Sequence, residues 1–269
     1  MQVQSSGARR FCYTGRMEAG MKVAAASDTG YLRRRNEDTV RVDTERGIVL
    51  LADGMGGPPG GDVASGLAVA TAYGLLTERI SAAMPDGILP LLEEALAAAH
   101  EAIARRARKE ARLAGMGTTL ELAVVRDGAL YLCHVGDSRV YRFQDGDLEQ
   151  LTRDDNYAAW LAAHEGLLPE EVPSPARHIL MQAVGNGAPP TPQLECVPLF
   201  GDELLLLCSD GLHGMLADGE IRGIMREEPP DPDRIAPRLV AAALAAGGYD
   251  NVSVIVAAPG VTEDLPRTP

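Results

Sequence analysis

Aromatic side chains are scarce in this sequence: one Trp, three Phe and seven Tyr make up 4% of 269 residues. Surfaces that stack nucleobases depend on such rings, so single-strand nucleic-acid binding is disfavoured. A basic excess is lacking too. The formal net charge is −13, which argues against nucleic acid or an anionic membrane as a partner. No run of about 18 apolar residues occurs, so no membrane span is expected. The first 20 residues contain no apolar signal core. They read as a flexible extension, with Met17 or Met21 as alternative starts, and the expected location is the cytoplasm. The four cysteines (Cys12, Cys133, Cys196 and Cys208) form no C-x-x-C pair. The last three lie in apolar runs and are read as buried, reduced thiols.

Familiar catalytic signatures are absent as well. A dinucleotide fingerprint beginning at Gly54 would need glycine at position 59, where Pro59 stands. A phosphate loop over Gly56 to Gly61 would continue with lysine, but Asp62 follows. An acid there would repel the phosphate that a helix start attracts. The five histidines show no H-E-x-x-H spacing, and no G-x-S-x-G elbow exists. Each histidine alone reads as structural, with His100 on a helix surface and His134 in a strand.

What the chain does have is acids at strand ends. The apolar run Ile48 to Ala52 delivers Asp53 to glycines at Gly54, Gly56 and Gly57. The run Leu204 to Cys208 leads to Asp210-Gly211, and Asp250 precedes the run Val252 to Ala257. Glu37 and Asp38 stand at the head of another strand, and Asp137 in the tight turn Gly136-Asp137-Ser138. Unpaired carboxylates gathered in a cleft repel one another severely, and divalent cations relieve that repulsion. Oxygen ligands suit Mg²⁺ or Mn²⁺, and Gly54 can bring its carbonyl close. Two such ions acidify a bridging water and neutralise phosphoryl oxygens. A nearby arginine such as Arg33 would hold a phosphate by two charge-assisted bonds. The chemistry this favours is phosphate-ester hydrolysis without a covalent intermediate.

Read in order, the chain opens with a strand Lys22 to Ser27 and a hairpin of Thr39–Asp43 with Ile48–Ala52. Two long helices follow, Val63 to about Met84 with Asp62 as N-cap, and Ile88 to about Leu113. The second ends in a solvated basic face of Arg105, Arg106, Arg108, Lys109 and Arg112. An antiparallel meander occupies 118 to 151, then a short helix Asn156 to Glu165. An irregular, mobile flap is expected over about 153–192. Strands at Gln193–Pro198 and Glu203–Cys208, helices at Ala217–Arg226 and Pro232–Ala246, and a strand Val252–Ala258 complete the list. Segregated helices and antiparallel strands imply an α+β fold, two sheets face to face with helices on both outer faces. One domain over 21–259 is expected, with 260–269 as a tail.

Six ordered blocks resemble the metal-dependent protein serine/threonine phosphatases (PPM, or protein phosphatase type 2C), especially their stand-alone bacterial members. They are Gly30-x-x-Arg33-x-x-Asn36-Glu37-Asp38, Asp53-Gly54-Met55-Gly56-Gly57, Gly117-Thr118-Thr119, Gly136-Asp137-Ser138-Arg139, Ser209-Asp210-Gly211-Leu212 and Asp250-Asn251. The resemblance spans about 22 to 258. It implies a four-layer α-β-β-α sandwich with a flap and a metal cluster at one end. It further implies that Asp53 bridges two Mn²⁺ or Mg²⁺ ions, and that Asp210 and Asp250 complete the first site. Glu37 and the Gly54 carbonyl would serve the second ion, and Asp137 with Asp210 a third, weaker one. Asp38 would orient metal-bound water or the arginine, Arg33 would bind phosphate, and Asn251 would fix the loop around Asp250. The implied reaction is attack of metal-bridging water on phosphoserine or phosphothreonine. The implied setting is a monomer opposing a Ser/Thr kinase. The rival is an inactive binding module that keeps the fold. Two departures stand out: Met55 where animal members carry a histidine acid, and Thr152-Arg153-Asp154-Asp155-Asn156 in place of a commoner Asp-His-Ser form.

Overall fold

The structure is a computed structural model that describes residues 10–16, 21–55, 60–166, 171–172, 179–226 and 230–260. Its logic is clearest in strand β4 (Ile48–Met55), where successive side chains go to opposite faces. Ile48, Leu50 and Ala52 enter one buried cluster, while Val49 and Leu51 enter another. Both faces of the strand are dry, which explains its unbroken apolar run. Strand β11 (Leu204–Cys208) behaves likewise: Leu204, Leu206 and Cys208 face one cluster, Leu205 and Leu207 the other.

The strands form two antiparallel sheets. The first runs β1 (Arg10–Arg16), β2 (Lys22–Asp28), β12 (Val252–Ala258), β11, β8 (Arg139–Gln144) and β9 (Asp147–Gln150). The second runs β10 (Gln193–Pro198), β7 (Ala129–Val135), β6 (Leu120–Arg126), β4 and β3 (Asp38–Asp43), with the two-residue β5 (Gly117–Thr118) beside β4. Between the sheets lie Val23, Ala25, Val49, Leu51, Leu132, Leu205 and Ile255. Helices α1 (Gly61–Arg79) and α2 (Pro85–Lys109) cover the outer face of the second sheet, through Ala68, Ala72, Leu92 and Ala95. Helices α5 (Asp218–Met225) and α6 (Pro232–Ala245) cover the first, through Ile221, Ile235 and Leu239. The architecture is the expected four-layer α-β-β-α sandwich.

Several local expectations need correction. The stretch 10–16, read as part of a loose extension, pairs in register with β2 from Arg10↔Asp28 to Arg16↔Lys22. Strand β4 continues through Asp53 to Met55, because β5 supplies a partner at Gly54↔Thr118. Asp53 therefore sits within a strand. The N-cap of α1 is Gly60; Asp62 lies in the first turn, its Oδ1 accepting from the Val63 amide. The Pro85-Asp86-Gly87 break is the first turn of α2, where proline's missing N–H is harmless. A four-residue helix α4 (Asp210–His213) follows β11 directly and was not expected. Cys196 is exposed, while Cys133 and Cys208 are buried. His100 is buried, and its Nδ1 accepts from the Gly185 amide.

In the flap region, α3 (Tyr157–Glu165) is capped by Asn156, whose Oδ1 accepts from the Ala159 amide. The return segment is tied back at Leu180, which bridges Asn156, and at Val184, which bridges Thr118. The remaining flap residues 167–170 and 173–178 lie outside the described residues, as do the loop glycines Gly56 and Gly57, the extension residues 1–9 and 17–20, and the tail after 260.

Candidate active site

Opposed strand ends bring the acids together. Asp38 and Asp53 face each other directly in the β3–β4 ladder. Asp210 opens α4 at the end of β11, and Asp250 precedes β12, the neighbour of β11. Asp53 is half-buried, and its carboxyl is raised well above the usual range, first by loss of water and then by the charges of Asp38, Asp210, Asp137 and Asp250. Burial pushes Asp38 up to about 7, opposed by hydrogen bonds from Ser253 and Ser209, with Asp210 and Asp250 adding to the rise. Asp137 is raised well above the usual range by burial and then by Asp210. The three distant aspartates at 53, 210 and 250 thus share one electrostatic neighbourhood.

Glu37 belongs to the same edge. Burial raises its carboxyl, followed by repulsion from Asp62. Its carbonyl accepts from the Gly54 amide (3.2 Å) and the Ser65 hydroxyl (2.5 Å). A side chain on Gly54 would overlap the Gly61 carbonyl, so only glycine lets β4 meet the start of α1 here. Arg33 donates to Asp250 at 2.7 Å, with its guanidinium half exposed at the rim. The Asn251 side chain reaches across to the 29–37 segment. Its Oδ1 accepts from the Glu37 amide (2.8 Å), and its Nδ2 donates to the carbonyls of Thr29 (2.8 Å) and Arg35 (2.9 Å). One amide thereby positions the whole segment carrying Arg33 and Glu37.

The supporting hydroxyls could not be assigned roles from sequence. Ser209 Oγ donates to Asp38 Oδ2 (2.9 Å), and the Ser253 amide donates to Ser209 Oγ (2.9 Å). Thr119 Oγ1 accepts from the Asp53 amide (2.9 Å), and Thr118 Oγ1 donates to the Asp53 carbonyl (2.8 Å). Ser209, Thr118 and Thr119 stand in the sequence blocks that carry the family resemblance, and nothing else in the sequence marks them. Beside Asp137, a cleft of about 1490 Å³ runs past Arg139, Asp154, Trp160, Met181 and His213. Arg139 pairs with both oxygens of Asp154 at 2.9 and 2.8 Å, and His213 Nε2 lies 2.9 Å from the Asp137 carbonyl.

Whether these residues suit a metal turns on Asp38. Its Oδ1 is buried without a hydrogen-bond partner, a costly arrangement for a carboxylate unless a cation or water completes it. The surrounding donors are all oxygens, the set hard divalent cations prefer. Among the described residues no three such side chains stand in ready-made metal geometry. Asp250 is drawn to Arg33 and Asp38 to Ser209. As a set of oxygen donors with one buried carboxylate oxygen left unpaired, the residues fit a divalent cation.

Comparison with known proteins supplies the family. The family model described as Protein phosphatase 2C matches residues 33–227. The serine/threonine protein phosphatase PstP of Mycobacterium tuberculosis is 38% identical over 239 residues, covering 88% of this chain. The chain spans 45% of that protein's length. The serine/threonine phosphatase stp of Listeria innocua is 32% identical over 234 residues, covering 86% of this chain and 92% of that protein. A crystal structure of the catalytic domain of PstP in complex with two manganese ions superposes with a TM-score of 0.78 at 36% identity, covering 88% of this chain and 97% of that one. The two-sheet sandwich is the fold of these phosphatases. The chain belongs to the protein phosphatase 2C family.

Proposed function

We propose that this chain is a metal-dependent protein phosphatase that hydrolyses phosphoserine and phosphothreonine in proteins. One observation carries the reading: Asp38, Asp53, Asp210 and Asp250 converge in one half-buried cluster whose charges raise the carboxyls of Asp38 and Asp53. Asp53, Asp210 and Asp250 would hold one divalent cation, with Glu37, Asp53 and the Gly54 carbonyl holding another. Asp137 with Asp210 would hold a third, more weakly. When bound, Mn²⁺ or Mg²⁺ would neutralise phosphoryl oxygens and acidify a water for attack.

The chain's own residues supply the rest. Arg33 stands at the rim, anchored by Asp250, and presents its remaining guanidinium N–H groups to the phosphate. Asp38 Oδ1, with no protein donor, accepts a hydrogen bond from the attacking water and aligns it. Ser209 and Ser253 hold Asp38 for that task. Met55, paired with Gly117 at the end of β4, has no proton to give a leaving group. At the level of the cell, the reading is a cytoplasmic monomer that reverses the work of a Ser/Thr protein kinase. The manganese complex of the related PstP domain supports the metal assignment.

The test is hydrolysis of a phosphoserine peptide with Mn²⁺, after EDTA, and after Mn²⁺ is restored. The expected result is activity, loss and recovery. Turnover indifferent to EDTA, or none with any divalent metal, contradicts the proposal.

A further inference from the structure

Among the described residues eight large hydrophobic side chains are exposed, and three of them cluster beside Arg33. Tyr31 is 68% exposed, Leu32 69% and Tyr249 58%. Tyr31 and Leu32 immediately precede Arg33, and Tyr249 immediately precedes Asp250, the partner Arg33 holds at 2.7 Å. The two loops are bound to each other, since the Tyr31 amide donates to the Gly248 carbonyl at 2.7 Å.

Both tyrosine rings lie against the turn Gly247-Gly248. A side chain built on Gly248 would begin 3.0 Å from Tyr31 Cδ2, and one on Gly247 would begin 2.8 Å from Tyr249 Cζ. Gly247 and Gly248 have positive φ (142° and 56°, in that order), a bend that glycine permits. Apolar side chains gathered at one place and left open mark a contact site. The flap aromatic differs: Trp160, 39% exposed, stacks on Tyr157 (6.0 Å) and His164 (4.5 Å) of its own helix.

We propose that Tyr31, Leu32 and Tyr249 form an apolar lip that selects substrates with large hydrophobic residues close to the phosphorylated residue. The proposal rests on the phosphatase reading and adds a substrate class to it. Its occupant follows from position. A phosphate held by Arg33 puts the substrate chain over these loops, and two residues of extended chain reach at most about 7 Å. Side chains within two or three positions of the phosphoresidue therefore meet the lip. Size argues against a second copy of this chain: three such side chains offer on the order of 300–400 Å². A stable protein interface takes about 800 Å² from each partner.

The experiment compares two phosphoserine peptides in Mn²⁺ buffer, identical except that the flanking three residues on each side are leucine and phenylalanine in one and alanine in the other. Wild-type kcat/KM should favour the apolar peptide by about tenfold, mainly through KM, the scale of discrimination a hydrophobic pocket achieves. In a Tyr31→Ser/Tyr249→Ser double variant the ratio should fall to about one, and in Tyr31→Phe/Tyr249→Phe it should persist. Equal wild-type turnover of both peptides, or a preference that survives the serine variant, overturns the lip. So does concentration-dependent association of the wild type that the serine variant abolishes, because a second copy would then be the occupant. Failure to hydrolyse either peptide overturns the phosphatase reading itself. The wild-type ratio and the phenylalanine variant keep the test decisive should the serine variant fold poorly.

Discussion

Asp53 is the residue on which the cluster depends, because its two backbone neighbours in space, Thr118 and Thr119, fix it while its carboxyl meets four other acids. Removing its charge should eliminate activity without unfolding the chain. Asp53→Asn is expected to lower kcat/KM at least about 100-fold, above the 10–100-fold typical of outer-shell changes to a metal site. Circular dichroism should match wild type; near-normal turnover would refute the assignment. Ser209→Ala tests the support of Asp38. It should raise the Mn²⁺ concentration for half-maximal activity by about 10–100-fold, and an unchanged metal dependence would dismiss Ser209 as a mere packing residue. Asn251→Ala removes three hydrogen bonds from a residue that is 4% exposed. At roughly 1 kcal/mol per bond, with an added penalty for stranded partners, about 3 kcal/mol of stability should be lost. Urea unfolding measures this, and a loss below about 1 kcal/mol would deny Asn251 its organising role.

At the scale of elements, β6 and β7 carry a feature the chemistry does not use. Glu121 and His134 are cross-strand partners, almost wholly buried, with Oε1 and Nδ1 at 2.6 Å. Burial by itself lowers the His134 pKa, but the Glu121 charge outweighs it and the net result is a rise to about 9. Burial raises Glu121 as well. His134 thus keeps its proton in the folded chain to a higher pH than the 6.5 of the free side chain. Its contribution is complete below pH 6.5 and fades as pH rises through about 9. The urea midpoint should therefore fall across that window in wild type and fall less in His134→Gln. Equal slopes would mean that the pair is not charged in the folded state. His134 Nε2 also lies 2.8 Å from the Arg153 carbonyl, so the pair anchors the segment leading into α3.

For the molecule as a whole, what the sequence disclosed followed the reach of each physical signal. Apolar runs ending in Asp-Gly were visible because burial on both faces of β4 and β11 leaves no alternation to confuse them. The meander was legible from turns such as Asp127-Gly128, where both residues take positive φ. Strand β1 was not, because Arg10–Arg16 has charged ends, no apolar run, and a pairing supplied entirely by β2. His100 looked like a surface residue beside Glu101, yet its role is set by Gly185, 85 positions away. The hydroxyl shell failed for the same reason: Ser209 meets Asp38 across 171 residues, and serine carries no periodic signature. The acids were legible as candidates, but their convergence is a property of the sandwich.

That convergence can be measured directly by titrating Mn²⁺ into the apo-protein calorimetrically, alongside Asp53→Asn. Wild type should take up two ions tightly, with any third weaker, and the variant should lose the tight binding while staying folded. A wild-type chain that takes up no ion at millimolar Mn²⁺, or a variant that binds as tightly as wild type, would contradict the account.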